Sequence, residues 1–484
     1  MLRTVLLLPV FMVVPAWSQT PAPAPCRSTG IKNGVVQNEN RLQRDFRVEF
    51  EDIKCTKLNF GGLTDIGQTL VTGQPLHIAA GSLAPQNGFG AGLAFVEHKN
   101  FKNEWRVNWN ADALATTRGA WRAGAYMKAY RLGAGNTVAA STTLNFYSET
   151  TSLTRVDYYG LGPATRPTSQ TTFGMRENVT GVSGIIHLPG ALAKSGLSLV
   201  AELNARFPSI RPGTDAVIPS IEQRFTEATA PGLTRQKVFF EPALGVRFAK
   251  PLFGDFVRVN YLLQMQEYAA GGDSAYSFRR WNADFGHTIP LYRVFPGKMG
   301  KAYSKLPAAG ARPHNGPDDC ATSETPSDTG RPCPPVSRTL NLEGSISLRL
   351  FMSESIANAG SNVPFFFSPT LGGSDINGNS MLASYPDYRF RGPDLLLMRG
   401  TFEHSLPKLP IGVMFTVDGG KIGLQRNDIA FNHLRHTYGA GLTIHAGGLP
   451  VFSLLFAWGG AEGHHTHTTI DPNLLGGGGR PSLF

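Results

Sequence analysis

Along most of this chain, short segments carry apolar residues at every second position. That period belongs to a strand with one oily and one polar face. Trp105, Val107 and Trp109 stand against Arg106, Asn108 and Asn110. Leu197, Leu199, Leu203 and Phe207 stand against Ser198, Glu202, Asn204 and Arg206. Val257, Val259, Tyr261, Leu263 and Met265 oppose Arg258, Asn260, Gln264 and Gln266. A soluble sandwich hides its apolar faces between two sheets. Here the polar face carries charges and amides on nearly every strand, so it needs water while the other face needs oil. A membrane barrel with a wet lumen satisfies both. The sequence therefore predicts an all-β, antiparallel transmembrane barrel of about 16 strands. They fall near 89–96, 104–113, 121–131, 138–146, 153–160, 173–187, 197–207, 237–248, 256–267, 276–288, 339–352, 394–406, 411–419, 437–446, 451–459 and 465–471.

Composition fits this reading. Charged residues are only 17% of the 484, yet mean hydropathy is −0.13, because Gly, Phe, Ser and Thr replace compact runs of Leu, Ile and Val. No stretch reaches 18 consecutive apolar residues, the length a spanning helix needs, and lipid otherwise tolerates only a closed sheet. The N-terminus reads as an export signal over 1–18: Arg3, an apolar run over 5–14, and Ala16-Trp17-Ser18 as the cleavage site. Residues 19–84 are expected to form a short periplasmic segment and 85–484 the barrel. The expected location is the outer membrane of a Gram-negative-type cell, among lipid and lipopolysaccharide. Four cysteines in an oxidising compartment suggest two bridges, most economically Cys26–Cys55 and Cys320–Cys333.

Loop lengths give orientation. The connections 114–120, 148–152, 188–196, 249–255, 407–410 and 447–450 are short and read as periplasmic turns. The long connections 208–236, 353–393 and 420–436 read as external. One exception, 289–338, is long, rich in Pro and Gly, and holds Cys320 and Cys333; it reads as an inserted element on the short-turn side.

The closing region resembles the bacterial surface antigen family, the BamA/TamA superfamily of outer-membrane barrels. The resemblance is carried by Val363-Pro364-Phe365-Phe366, Leu371-Gly372-Gly373, the 388–392 run Tyr-Arg-Phe-Arg-Gly, Leu395-Leu396-Leu397, Asp418-x-Gly420 and the terminal Phe484, with Tyr159-Gly160-Leu161-Gly162 as a further phrase. It implies a 16-stranded barrel whose long external loop, here 371–393, folds into the lumen against a wall motif, here Asp418 and Gly420 with Thr416 in the place of the family's Phe. It also implies barrel-assembly machinery as a partner during biogenesis, with Phe484 as the assembly signal. Two departures matter. Ala383 and Ser384 stand where the family's loop tip carries Arg-Gly, and 19–84 is too short for a POTRA module. Arg389 or Arg391 is then expected to replace the missing tip Arg and pair with Asp418, since a carboxylate facing a returning loop favours a bidentate guanidinium.

Other constellations are set aside. His464, His465 and His467 read as the solvated end of the last hairpin rather than a metal site, and no Cys/His spacing suggests zinc. No Gly-x-Ser-x-Gly, His-Glu-x-x-His or phosphate-binding Gly loop occurs, so no enzyme, cofactor or nucleic-acid partner is expected. A hydrolase assembled inside the barrel from His187, His287, Asp284 or His445 is a third reading. The leading expectation is transport or insertion across the outer membrane gated by the 371–393 loop, with or without a periplasmic partner. The alternative is a porin-like or structural barrel that this loop plugs.

Overall fold

The computed structural model describes residues 76–101, 105–131, 142–188, 195–253, 256–293, 341–406, 411–446, 449–460 and 462–470. The alternating segments form long antiparallel strands. These are β1 (Leu76–Ser82), β2 (Phe89–Phe101), β3 (Trp105–Thr116), β4 (Trp121–Arg131), β5 (Thr143–Tyr158), β6 (Thr171–His187), β7 (Leu197–Pro212), β8 (Phe239–Leu252) and β9 (Val257–Ala270). They continue with β10 (Phe278–Arg293), β11 (Asn341–Ala357), β14 (Asp394–Ser405), β15 (Ile411–Gly423), β16 (Arg435–Ala446), β17 (Leu449–Gly460) and β18 (Gly463–Ile470). Two short strands, β12 (Thr370–Leu371) and β13 (Phe390–Arg391), pair with each other inside the β11–β14 connection. The other 16 strands make one sheet in chain order, each bonded to the next, with β1 and β18 at its ends among the described residues. No described helix is long and apolar enough to cross a membrane.

The two faces of this sheet differ in the way the period of two demands. On β15, Phe415 and Val417 are 51% and 53% exposed, while Thr416 and Asp418 are 7% and 1%. Leu203 and Phe207 on β7, Leu263 on β9 and Phe456 on β17 repeat the exposed apolar row. An exposed apolar row that continues from strand to strand marks a face made to meet another apolar phase or partner. The opposite face is polar and cross-linked. Tyr147 donates to Glu202 and Asn204 at 3.1 and 2.6 Å, Gln266 donates to Glu241 at 3.0 Å, and Arg206 pairs with Glu177 at 2.8 Å and also with Glu241.

Two strand assignments change. Residues 138–146 and 153–160 are not separate strands: β5 runs unbroken from Thr143 to Tyr158, with an irregularity between Leu153 and Val156. The Ser/Thr-rich stretch over 148–154 looks like a turn, yet β-branched Thr is a good strand residue. The reading also missed β1, which lies within the segment assigned to 19–84, so the sheet begins before residue 85. Its seven residues, Leu-His-Ile-Ala-Ala-Gly-Ser, alternate only once, Leu76 and Ile78 about His77, before small side chains take over, too little to mark a strand. One strand lost and one gained leave the count unchanged but reverse the first hairpins. The 117–120 turn lies at the end that carries 159–170, 213–238, 358–393 and 424–434, opposite to the short turns 253–256 and 406–410. The connection 294–340 joins β10 to β11 at the short-turn end. Its structure, Cys26, Cys55, Cys320, Cys333 and Phe484 all lie outside the described residues.

Candidate functional site

The connection 358–393 folds over the inner face at the long-loop end. It is seated first by aromatic packing. Phe365 is fully buried, its ring 5.1 Å from those of Tyr158 and Phe173, and its N–H donates to Pro231 O at 2.9 Å. The chain then turns through Gly372 and Gly373, at φ of +106° and +60°. A Cβ on Gly373 would stand 2.4 Å from an Asp387 oxygen and 2.6 Å from its backbone. Only glycine fits such a left-handed close approach. The Leu371-Gly372-Gly373 phrase thus has a physical cause: it lets the two limbs of the loop, β12 and β13, lie side by side.

Beyond the turn, Leu382, Ala383 and Ser384 are fully buried against the wall. Leu382 N–H donates to Asp418 Oδ2 at 3.2 Å, and the Ser384 and Thr437 hydroxyls lie 2.8 Å apart. His467 Nε2 lies 2.7 Å from Ala383 O. A carbonyl only accepts, so this contact makes Nε2 the protonated nitrogen. Gly420 opens the space for these contacts, since a Cβ there would meet Leu371 and Leu382 at 3.1 and 3.3 Å.

The expected ion pair of the loop is corrected. Asp418 is held bidentately by Arg399, at 2.7 and 2.9 Å, and neither Arg389 nor Arg391 is its partner. Arg399 stands directly opposite Asp418 in the β14–β15 register, so the pair forms locally within one hairpin. Arg389, 1% exposed, instead grips Glu462 in the β17–β18 turn at 2.6 and 2.8 Å and donates to Thr165 Oγ1 and O at 2.8 and 2.6 Å. The rings of Tyr159 and Phe390 lie 4.9 and 4.7 Å from its guanidinium carbon. Arg391 donates to Phe365 O at 3.0 Å, and its carbonyl accepts from Gly162 N–H at 2.7 Å. Arg389 and Arg391 thus fasten the loop to 159–170 and to the last hairpin, not to the wall strand β15.

Sequence reasoning missed Arg399, Thr437, Arg435 and Glu462. A signal existed for the first: folding the predicted strands 394–406 and 411–419 about their 407–410 turn puts 399 opposite 418. The histidines are also reassigned. His467 faces inward against the loop tip, while the His464 ring packs on the outward-facing Phe456 at 5.6 Å. Of the hydrolase candidates, His287 and Asp284 face opposite sides of β10. His287 shares the outward face of β10 with Phe285 and bonds the Tyr261 hydroxyl at 2.7 Å. Asp284 faces inward in the bidentate grip of Arg349.

No family model matches the chain, and no curated protein matches it. Among solved structures it is similar to CdiB from Acinetobacter baumannii, at 11% identity over 82% of this chain and 58% of that one, with a TM-score of 0.42. It is similar to BamA from Haemophilus ducreyi lacking POTRA domains 1–3, at 9% identity over 81% and 69% of the two chains, TM-score 0.43. It is likewise similar to CdiB from Escherichia coli, at 11% identity over 79% and 58%, TM-score 0.44. The chain spans 58% of the length of either CdiB.

Proposed function

We propose that the chain is an outer-membrane barrel whose lumen is closed at the external end by the 358–393 loop, and that transport or insertion across the membrane requires this loop to leave. The observation that carries the reading is the fully buried tip at Leu382, Ala383 and Ser384, pressed on an inner face that is otherwise polar. The wall meets this tip with two neutral contacts, from Thr437 and His467, and one bond to the Asp418 carboxylate, which part at modest cost. No catalytic constellation is assigned, and the protein acts as a conduit or insertase rather than an enzyme.

A static plug is the second reading, favoured by the number of separate anchors. The loop is tied to 159–170 through Arg389 and Arg391, to 213–238 through Phe365, and to the last hairpin through Glu462. Conductance in planar bilayers separates the two. A removable plug gives a nearly silent intact protein with rare openings, and a permanently conducting pore after deletion of 374–392. Continuous conductance by the intact protein refutes both. Complete silence before and after deletion refutes the lumenal path.

A further inference from the structure

At the long-loop rim, between the loop and the 424–434 connection, lies a cavity of about 510 Å³. Lys421, His433, Arg435 and His436 line it, over a floor that includes Tyr385 and Phe390, and no lining residue is acidic. Its basic groups are unevenly committed. The Arg435 guanidinium carbon lies 4.2 Å from the centre of the Phe390 ring, and one of its N–H groups donates to Pro163 O at 2.7 Å. Among the described residues Lys421 reaches Asn432 Oδ1, at 3.5 Å, and His433 and His436 are exposed. A guanidinium anchored on a ring and at one N–H keeps further donors for a bidentate oxyanion such as a phosphate.

The surroundings select the kind of phosphate. Gly459 borders the cavity and packs on Tyr438, where a Cβ would come within 2.8 Å of the ring. Tyr438 and its strand neighbour Trp458, 45% and 41% exposed, belong to the outward apolar face. Aromatic residues at this level mark the boundary between oil and headgroups. A ligand here has its anionic part against four basic side chains and its apolar part beside a lipid-facing ring. The geometry points to the phosphorylated headgroup of an outer-leaflet glycolipid as the occupant. The site rests on the membrane placement proposed above, because it takes this rim as the headgroup level, but not on the loop's being removable.

The test uses the full-length protein in detergent, with bisphosphorylated lipid A, its dephosphorylated form and inorganic phosphate as probes, read by native mass spectrometry and by tryptophan fluorescence. Bisphosphorylated lipid A is expected to bind at least tenfold tighter than the dephosphorylated lipid. The double variant Lys421→Gln/His436→Gln, at a half-buried and an exposed position, is expected to lose that advantage and leave the weaker binding unchanged. Arg426→Gln, an exposed charge on the same rim outside the cavity, should leave it intact. Equal binding of the two lipids overturns the proposal, as does an equal loss in Arg426→Gln. Inorganic phosphate displacing lipid A at comparable concentration overturns the glycolipid assignment in favour of an ion site. Failure of the protein to insert into bilayers refutes the membrane placement instead, so the two failures are distinguishable.

Discussion

Replacing Arg389 with Ala tests the loop's hold most directly. The guanidinium is 1% exposed and its partner Glu462 is 18% exposed, so the variant leaves a carboxylate that reaches some water. Removing one partner of a buried pair costs about 3–5 kcal/mol, and the partial exposure of Glu462 places this one near the lower limit, about 3 kcal/mol. The lost bonds to Thr165 and the two ring contacts belong to the same unit and are not added separately. At 1.4 kcal/mol per factor of ten, the ratio of released to seated loop rises roughly a hundredfold. Single-channel recording reads this as a change in opening frequency at fixed voltage. Glu462→Gln should produce a similar rise, because it strands the buried cation. The double variant Arg389→Met/Glu462→Met should show far less than the sum of the two. An Arg389→Ala protein whose opening frequency stays within about threefold of the parent, well under the hundredfold set by the tenfold-per-1.4 kcal/mol rule, refutes the latch.

Three further outcomes follow from the same geometry. Gly373→Ala should unseat the loop, since its Cβ collides with Asp387, whereas Gly378→Ala, at φ +81° with nothing within 4 Å, should cost only about 1 kcal/mol; opening frequencies compare them. Gly420→Leu should also raise opening, because Leu371 and Leu382 occupy the space it needs. Acid should loosen the 213–238 seat. Burial pushes the Glu227 carboxyl up, but hydrogen bonds from the Tyr276 hydroxyl, Thr234 and Gly232 outweigh it and hold its pKa below 4.5. Its stabilising contribution is therefore complete above pH 4.5 and is lost as pH falls through the lower folded value. Burial raises the pKa of Asp387, which acts in the opposite sense, so Glu227→Gln isolates the effect: a rise in opening below pH 4.5 that survives this variant disproves the assignment.

The fold was legible because alternation is a local property. Val417 and Asp418 declare their opposite faces whatever the strand pairs with. What alternation does not carry is where a strand breaks. The polar run over 148–154 looks like a turn, and the alternation of β1 stops after Leu76 and Ile78, so two errors cancel in the count and surface only as a reversal of the first hairpins. The site was legible in part. Asp418, Gly420 and Leu371-Gly372-Gly373 take part in the loop contact, but Arg389 and Arg391 find partners far away in sequence. Glu462 and Thr165 lie 73 and 224 residues from Arg389, and no periodicity reports a contact of that kind.

The position of Arg399 has a consequence for how such a loop is released. Had the loop tip carried the cation for Asp418, removing the loop would strand a carboxylate that is 1% exposed, at a cost of about 3–5 kcal/mol. Here the cation belongs to the wall, opposite Asp418 in register, so the pair stays intact whether the loop is present or absent. Departure of the tip breaks instead the Leu382 N–H bond to Asp418 and the Ser384 and Ala383 contacts with Thr437 and His467. The two neutral contacts are worth about 0.5–1.5 kcal/mol net each and the bond to the carboxylate about 1.5–3 kcal/mol, and water can satisfy every group they free. Ala383 and Ser384 at the tip are then the residues such an arrangement calls for: small, neutral and able to leave without exposing an unpaired charge. The firm hold lies elsewhere, in the Arg389–Glu462 pair. A stimulus that reached the β17–β18 turn and parted that pair could free the loop while leaving the wall's own ion pair undisturbed.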